Sequence, residues 1–200
     1  MSIDDGEIIS RSLEQRAAFA ELYDRHERVV YRYAARRIGV SHADDITSET
    51  FLVAFTRRED FYGGRDARPW LLGIATTLMQ KHSRQEARAW KGMLVADLAR
   101  VDVDEFDAAD ARIDAKGVVQ RLGRAIARLP AGDRDVLLLH AFADLDHEGI
   151  GLALSIPPTG TVRSRLSRAR RKLRIAIDST ARLDKEEHHG RDLAPASVAE

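Results

Sequence analysis

The chain has 200 residues, room for one ordinary domain or two small ones, and its 44% hydrophobic and 32% charged content is globular, not disordered. It has no cysteine, which excludes disulfides and thiolate metal sites. Its 32 cations balance its 32 anions, but unevenly: residues 1–90 are neutral, 91–117 carry −3, 118–178 carry +5 and 179–200 carry −2.

The opening MSIDDGEIISRSLEQ is acidic and has no apolar centre, so it does not read as a signal peptide. No apolar run approaches the roughly 18 residues of a membrane span. The expectation is a soluble cytoplasmic protein.

Nearly every periodic segment is helical. Phe19, Leu22, Tyr23, Val30, Tyr33, Ala34 and Ile38 follow a 3.6-residue repeat, and Gly39 stops that helix. SHADDITSETFLVAFTRR starts a second helix at Ser41, with Asp44 three residues on as a capping-box-like acid. Its Ile46, Phe51, Ala54 and Phe55 are expected to face inward. EDFYGGRDARP is a loop by its glycine pair and Pro69. A third long helix follows, with Trp70, Ile74, Leu78 and His82 four residues apart.

Residues 91–117 break the pattern, with acids among short apolar residues and no caps. They read as a linker. Helix resumes at Val118–Leu129 and ends before Pro130, and Asp133 is expected to cap the next helix. HEGIGLAL is a short helix, SIPPTG a turn, and Gly160 to Ile177 the last helix. The remaining tail, residues 179–200, has little to bury and reads as mobile. The fold class is therefore all-α: two small helical domains on an acidic linker.

The last helix carries the strongest functional signal. Seven of the twelve residues from Arg163 to Arg174 are Lys or Arg, and none is acidic. At 100° per residue, Val162, Leu166, Ala169, Leu173, Ala176 and Ile177 form one stripe. Arg163, Ser164, Ser167, Arg168 and Arg171 lie opposite. A solvated basic face is the plain alternative, but such faces usually mix signs for i,i+4 pairing. The short helix and turn before it complete a helix-turn-helix layout, whose second helix enters the major groove. Arg can chelate a guanine edge, and flanking cations hold phosphates.

IPPTGTVRSRLSRARRKLR resembles the recognition helix of bacterial RNA polymerase sigma factors of the extracytoplasmic-function (ECF) group. The match extends to RLGRAIARLPAGDRDVLLLHAFADL before it, to FAELYDRHERVVYRYAARRIG, to ADDITSETFLVAF and to RPWLLGIATTLMQKHSRQ, in order over about residues 15–177. The resemblance implies a −10 and polymerase-binding domain at 12–90, a linker at 91–117 and a −35-binding domain at 118–178. It implies binding to core RNA polymerase, through the β′ clamp helices and the β flap, and to promoter DNA. An anti-sigma factor is a further candidate partner. The implied activity is promoter recognition and transcription initiation, not catalysis, with no cofactor and no metal.

The resemblance also places roles. Thr161, Arg163, Ser164, Ser167, Arg168 and Arg171 are the −35 contacts. The −10 contacts are Tyr62, Gly63, Gly64 and Arg65, in a loop that captures a flipped base, with Lys81, Arg84 and Arg88 tracking phosphates. Asp45, Ser48, Glu49, Phe51 and Leu52 bind polymerase. Trp70 reads as core.

Three departures stand out. Pro158 and Thr159 both separate the turn proline Pro157 from Gly160-Thr161-Val162, one residue more than the family pattern. Gly149 and Gly151 sit in the preceding helix, where each costs about 1 kcal/mol relative to Ala and predicts a loose helix. Thr76 and Thr77 stand where relatives often show Arg-Asn. His188 and His189 in the tail lack the partners of a closed metal site. The competing functions are a stand-alone helix-turn-helix regulator and a helical adaptor. The regulator has no reason to carry a clamp-binding helix like that of DDITSETF.

Overall fold

A computed structural model describes residues 3–62, 64–81 and 121–191, with side chains through Asp178 except Thr159. Gly63, Arg84, Arg88, the linker and the side chains of His188 and His189 lie outside the described residues. No strand occurs among them.

The first helix, α1 (Asp5–Glu14), is absent from the expectations above. Asp4 caps it, its Oδ1 accepting from the Glu7 amide at 3.0 Å. Ile8, Ile9 and Ser12 turn inward, and the Ser12 hydroxyl donates to the Ile9 carbonyl at 2.6 Å. A 3₁₀ turn, Arg16–Ala18, leads into α2 (Phe19–Ile38). Gly39, at φ 91°, closes α2 and opens α3 (Val40–Thr56). A positive φ lets the chain reverse in one residue, so α2 and α3 form a tight hairpin. The expected start of α3 at Ser41 with a capping side chain is corrected: the helix begins at Val40 and has no side-chain cap.

Aromatic pairs cross this hairpin, Phe19 on Phe55 at 5.2 Å and Tyr23 on Phe51 at 4.8 Å between ring centroids. The fourth helix, α4 (Arg68–Lys81), packs across both. It buries Leu71, Leu72, Ala75, Leu78 and Met79, whereas Trp70 and Ile74 are only half-buried. The deep face is thus rotated from the one the four-residue spacing suggests.

In the back half, α5 covers residues 121–127 and α6 is Ala131–Phe142. Pro130 stands at the N-cap of α6 with no side-chain cap. Asp133 is therefore not the cap the sequence suggested, and its carboxylate is spent elsewhere. Then come α7 (His147–Leu154), a π-type turn at Pro158–Val162, and α8 (Arg163–Arg191). The last helix runs well past Ile177, because Ala, Arg, Leu, Lys and Glu favour helix and no glycine interrupts it before Gly190.

The front helices (α1–α4) and the back helices (α5–α8) share one core. Leu22, Tyr33, Ile38 and Leu72 belong to the same buried cluster as Leu138, Leu139, Ile150 and Val162. Along the seam α4 packs on α7, with Gly73 so close to the Ala153 carbonyl that a Cβ would not fit. The Arg36 guanidinium lies over the Phe142 ring, 5.4 Å from its centroid.

At the heart of the seam Arg37 is fully buried and ion-paired with Asp135. Arg37 Nη1 also donates to the Tyr33 hydroxyl at 2.8 Å, which bonds Thr76 Oγ1 at 2.9 Å, and Thr76 in turn donates to the Leu72 carbonyl at 2.7 Å. Gln80 Nε2 fills the other Asp135 oxygen at 2.9 Å. Burial pushes the Tyr33 hydroxyl above its ordinary pKa, against the opposing pull of Arg37. Thr76 is thereby an internal residue of the seam, while Thr77 is exposed.

Candidate nucleic-acid and polymerase interfaces

The helix-turn-helix is built by α7, the turn and α8. Asp146 caps α7, accepting from the Gly149 amide at 2.7 Å. Ser155 ends it in the left-handed region at φ 52°, and the Ile156 amide returns to the Gly151 carbonyl at 2.9 Å. The chain folds back so closely that a Cβ on Gly151 would lie 2.9 Å from the Ile156 carbonyl oxygen and 3.0 Å from Pro158 Cβ. Gly151 therefore makes room for the turn, and α7 is a regular helix where a loose one was expected. The extra residue at Pro158–Thr159 is taken up by the π-type turn, whose wider loop absorbs one more residue than an α-turn.

Val162 at the end of the turn, and Leu166 and Ala169 in α8, are buried. Arg163, Ser164, Ser167, Arg168 and Arg171 are exposed, and Thr161 is half-buried. The stripe frays toward its end: Ile177 is 39% exposed. The exposed residues are not all free to act. Ser164 Oγ donates to the Thr161 carbonyl at 3.0 Å. Arg168 is committed to the buried Asp133, with Nη2 to Oδ1 at 3.0 Å and Nε to Oδ2 at 3.4 Å, and Lys172 stands 3.8 Å from the same carboxylate. On the other flank Arg163 and Ser167 join His147, Arg170 and Arg174 around an open groove. Arg170 and Arg174 were missed by the sequence reading, although positions 163, 167, 170 and 174 share one helical face.

In the front half, the loop after Phe61 separates two aromatics. Phe61 is half-buried and packs on Trp70 at 5.1 Å between centroids. Tyr62 is 92% exposed. Gly64 has φ 68°, a Cβ on it would meet open space, and the Arg65 side chain is 90% exposed, its Nε 3.3 Å from Asp4 Oδ2. Behind the loop, burial would raise the Asp66 carboxyl, but side-chain and backbone hydrogen bonds from Arg68 outweigh it and hold the carboxyl below its ordinary value. Lys81 is exposed at the end of α4.

On α3, Asp45, Ser48, Glu49 and Leu52 are exposed at helical spacing, and Leu52 is 65% exposed. Phe51 faces inward, as its place in the helical repeat predicts, and so does not present the polymerase contact that the resemblance implied. It is 5% exposed and packed on Tyr23, because its position in the helical repeat faces α2. It supports the exposed face from beneath and is no part of it. No helix among the described residues is long and apolar enough to cross a membrane.

Comparisons with known proteins agree with this arrangement. The family described as Sigma-70 region 2 matches residues 22–89, and that described as Sigma-70, region 4 matches residues 119–173. The chain is 29% identical over 167 residues to RNA polymerase sigma factor NccH of Alcaligenes xylosoxydans xylosoxydans, covering 82% of this chain and 88% of that protein. It is 32% identical over 146 residues to ECF RNA polymerase sigma factor SigC of Mycobacterium tuberculosis, covering 70% of this chain and 73% of that protein. Among solved structures, CnrH in complex with the cytosolic domain of CnrY shares the fold, with a TM-score of 0.58 and 24% identity over 88% of this chain and 97% of that one. The chain belongs to the ECF group of RNA polymerase sigma factors, non-enzymatic initiation factors that bind core polymerase and promoter DNA.

Proposed function

We propose that the two ends of this molecule read two promoter elements. Residues 12–90, with α1 added at their front, form the −10 and polymerase-binding unit. Residues 118–178 form the −35 unit, 91–117 link them, and 179–200 are an appended tail. Arg163, Ser164, Ser167, Arg168 and Arg171 face the −35 element, with Thr161 at the entry to the helix. Tyr62, Gly63, Gly64 and Arg65 capture the −10 base, and Lys81, Arg84 and Arg88 follow the phosphates. Asp45, Ser48, Glu49 and Leu52 dock on the polymerase. The protein works in the cytoplasm, and an anti-sigma factor, as NepR is for RpoE of Bartonella quintana, is its further partner.

The observation that supports this most is the split of α8, over Arg163 to Arg174, into a buried apolar stripe and an exposed cationic face with no acid in that stretch. The two elements lie about 85 Å apart along the duplex at ~3.4 Å per base pair. A packed chain of this length has a radius of gyration of only ~16 Å. The front and back halves therefore separate along their seam when both elements are engaged.

The test is run-off transcription with core polymerase. Arg163→Ala, at an exposed side chain not tied to Asp133, is expected to relax −35 selectivity, and Arg171→Ala to lower the salt slope of binding by about 1 with selectivity kept. Unchanged promoter use in both variants would remove the assignment of α8.

A further inference from the structure

We infer that Asp5 is a positioning residue for the promoter-facing loop: its buried carboxylate fixes the backbone that presents Tyr62 and Arg65. This rests on the reading of that loop as the −10 contact and deepens it.

Asp5 is 3% exposed, yet α1 does not need it, since Asp4 already caps the helix. Its partners lie elsewhere in the chain. Oδ2 accepts from the Ala67 amide at 2.8 Å and bonds His26 Nε2 at 2.7 Å, while Oδ1 accepts from Arg25 Nη1 at 2.6 Å. The Asp5 amide donates to the Arg65 carbonyl at 3.3 Å. A carboxylate this deep is tolerated only with such donors around it. One residue thus grips the loop twice, at Arg65 and at Ala67, and anchors it to α2.

Gly6 completes the grip. A Cβ there would lie 2.5 Å from the Gly64 carbonyl oxygen, so the first turn of α1 rests directly on the loop backbone. On its outer side the loop has almost nothing to hold it. Tyr62 and Arg65 are nearly fully exposed, and a Cβ on Gly64 would meet open space. The conformation in which the loop meets DNA is set from behind by α1. Pre-ordering of this kind lowers the cost of holding an unpaired base, because the loop does not have to be fixed at the moment of capture.

The experiment uses full-length Asp5→Asn and Gly6→Ala in holoenzyme with core polymerase. One promoter is fully duplex, and the other carries a pre-opened −10 bubble. Expected are polymerase affinity within about twofold of the unsubstituted protein, and open-complex yield on the duplex, read by permanganate reactivity of −10 thymines, lowered about tenfold, equivalent to ~1.4 kcal/mol. On the bubble template yield returns close to that of the unsubstituted protein, a rescue that general loss of folding would not give. Equal losses on both templates, or no loss on either, would overturn the inference. Tyr62→Ala and Arg65→Ala run alongside. If they abolish duplex opening while Asp5→Asn and Gly6→Ala do not, the positioning role falls and the loop assignment survives. If they too open the duplex normally, the loop assignment itself falls, and the positioning role with it.

Discussion

Asp5 and Asp135 are buried to nearly the same degree, at 3% and 2% exposure, but they organise different regions. Asp5 works inside the front half, on partners that include an Arg25 side chain 36% exposed to water. Asp135 reaches across the seam to Arg37, which lies 98 residues away and has no exposed surface. The first node stiffens a loop within one body, and the second joins two bodies. A buried ion pair breaks roughly even against apolar packing of the same shape, so a seam centred on one adds little net adhesion. On separation both charges gain water, and Arg37 keeps its bond to Tyr33. A polar centre thus suits a joint that opens, whereas a local carboxylate clamp suits a loop that must not move.

The sharpest way to break this comparison is Arg37→Met. It leaves Asp135 charged and buried, and is expected to cost about 3–5 kcal/mol in urea unfolding. Adding Asp135→Leu should recover most of that loss. If it does not, the seam depends on its charges for adhesion, and the contrast with Asp5 fails.

Asp135→Asn should act more gently, at about 1–3 kcal/mol, through loss of the charge-assisted bond. It should raise the radius of gyration in small-angle scattering, whereas Asp5→Asn should leave it unchanged. Equal expansion in both variants would erase the distinction between joint and clamp.

The smallest effects lie in pH. Burial raises the Tyr33 pKa in the folded seam, so its share of stability is complete below about pH 10 and is lost as pH rises through the folded value. Thermal unfolding should therefore weaken at alkaline pH, and Tyr33→Phe should flatten that decline. Asp66, beside the loop, is the opposite case. Its lowered pKa gives stability present above the ordinary aspartate value and lost as pH falls through the folded one. Asp66→Asn should blunt a slight acid sensitivity, reduced further because the group is partly in water.

Much of this was legible in the chain itself. The 3.6-residue repeat places α2 at its observed bounds, Gly39 marks its end, and the stripe through Val162, Leu166 and Ala169 is the buried face of α8. The failures have physical causes. Asp4 and Glu7 carried a capping signal for α1, but only Ile8, Ile9 and Leu13 follow it as bulk, so the acidic segment was assigned no helix. Asp133 sat where a cap was wanted, yet a long-range partner, Arg168, claimed its carboxylate. The repeat placed Phe51 inward, where it is found, and only the resemblance gave it to a partner surface. The Arg37–Asp135 pair had no local signal at all, since each residue alone looks like an ordinary charge on an amphipathic helix.

That pair also has a history within each molecule's synthesis. Arg37 leaves the ribosome well before Asp135 is made, and 98 residues take about 5–20 s to translate. For those seconds the newborn front half carries the Arg37 guanidinium, bonded to Tyr33, on the surface that will become the joint. Water hydrates that group well, whereas a leucine in its place would offer passing chains a sticky patch. The residue that later makes the joint easy to part first keeps the unfinished protein from adhering to its neighbours.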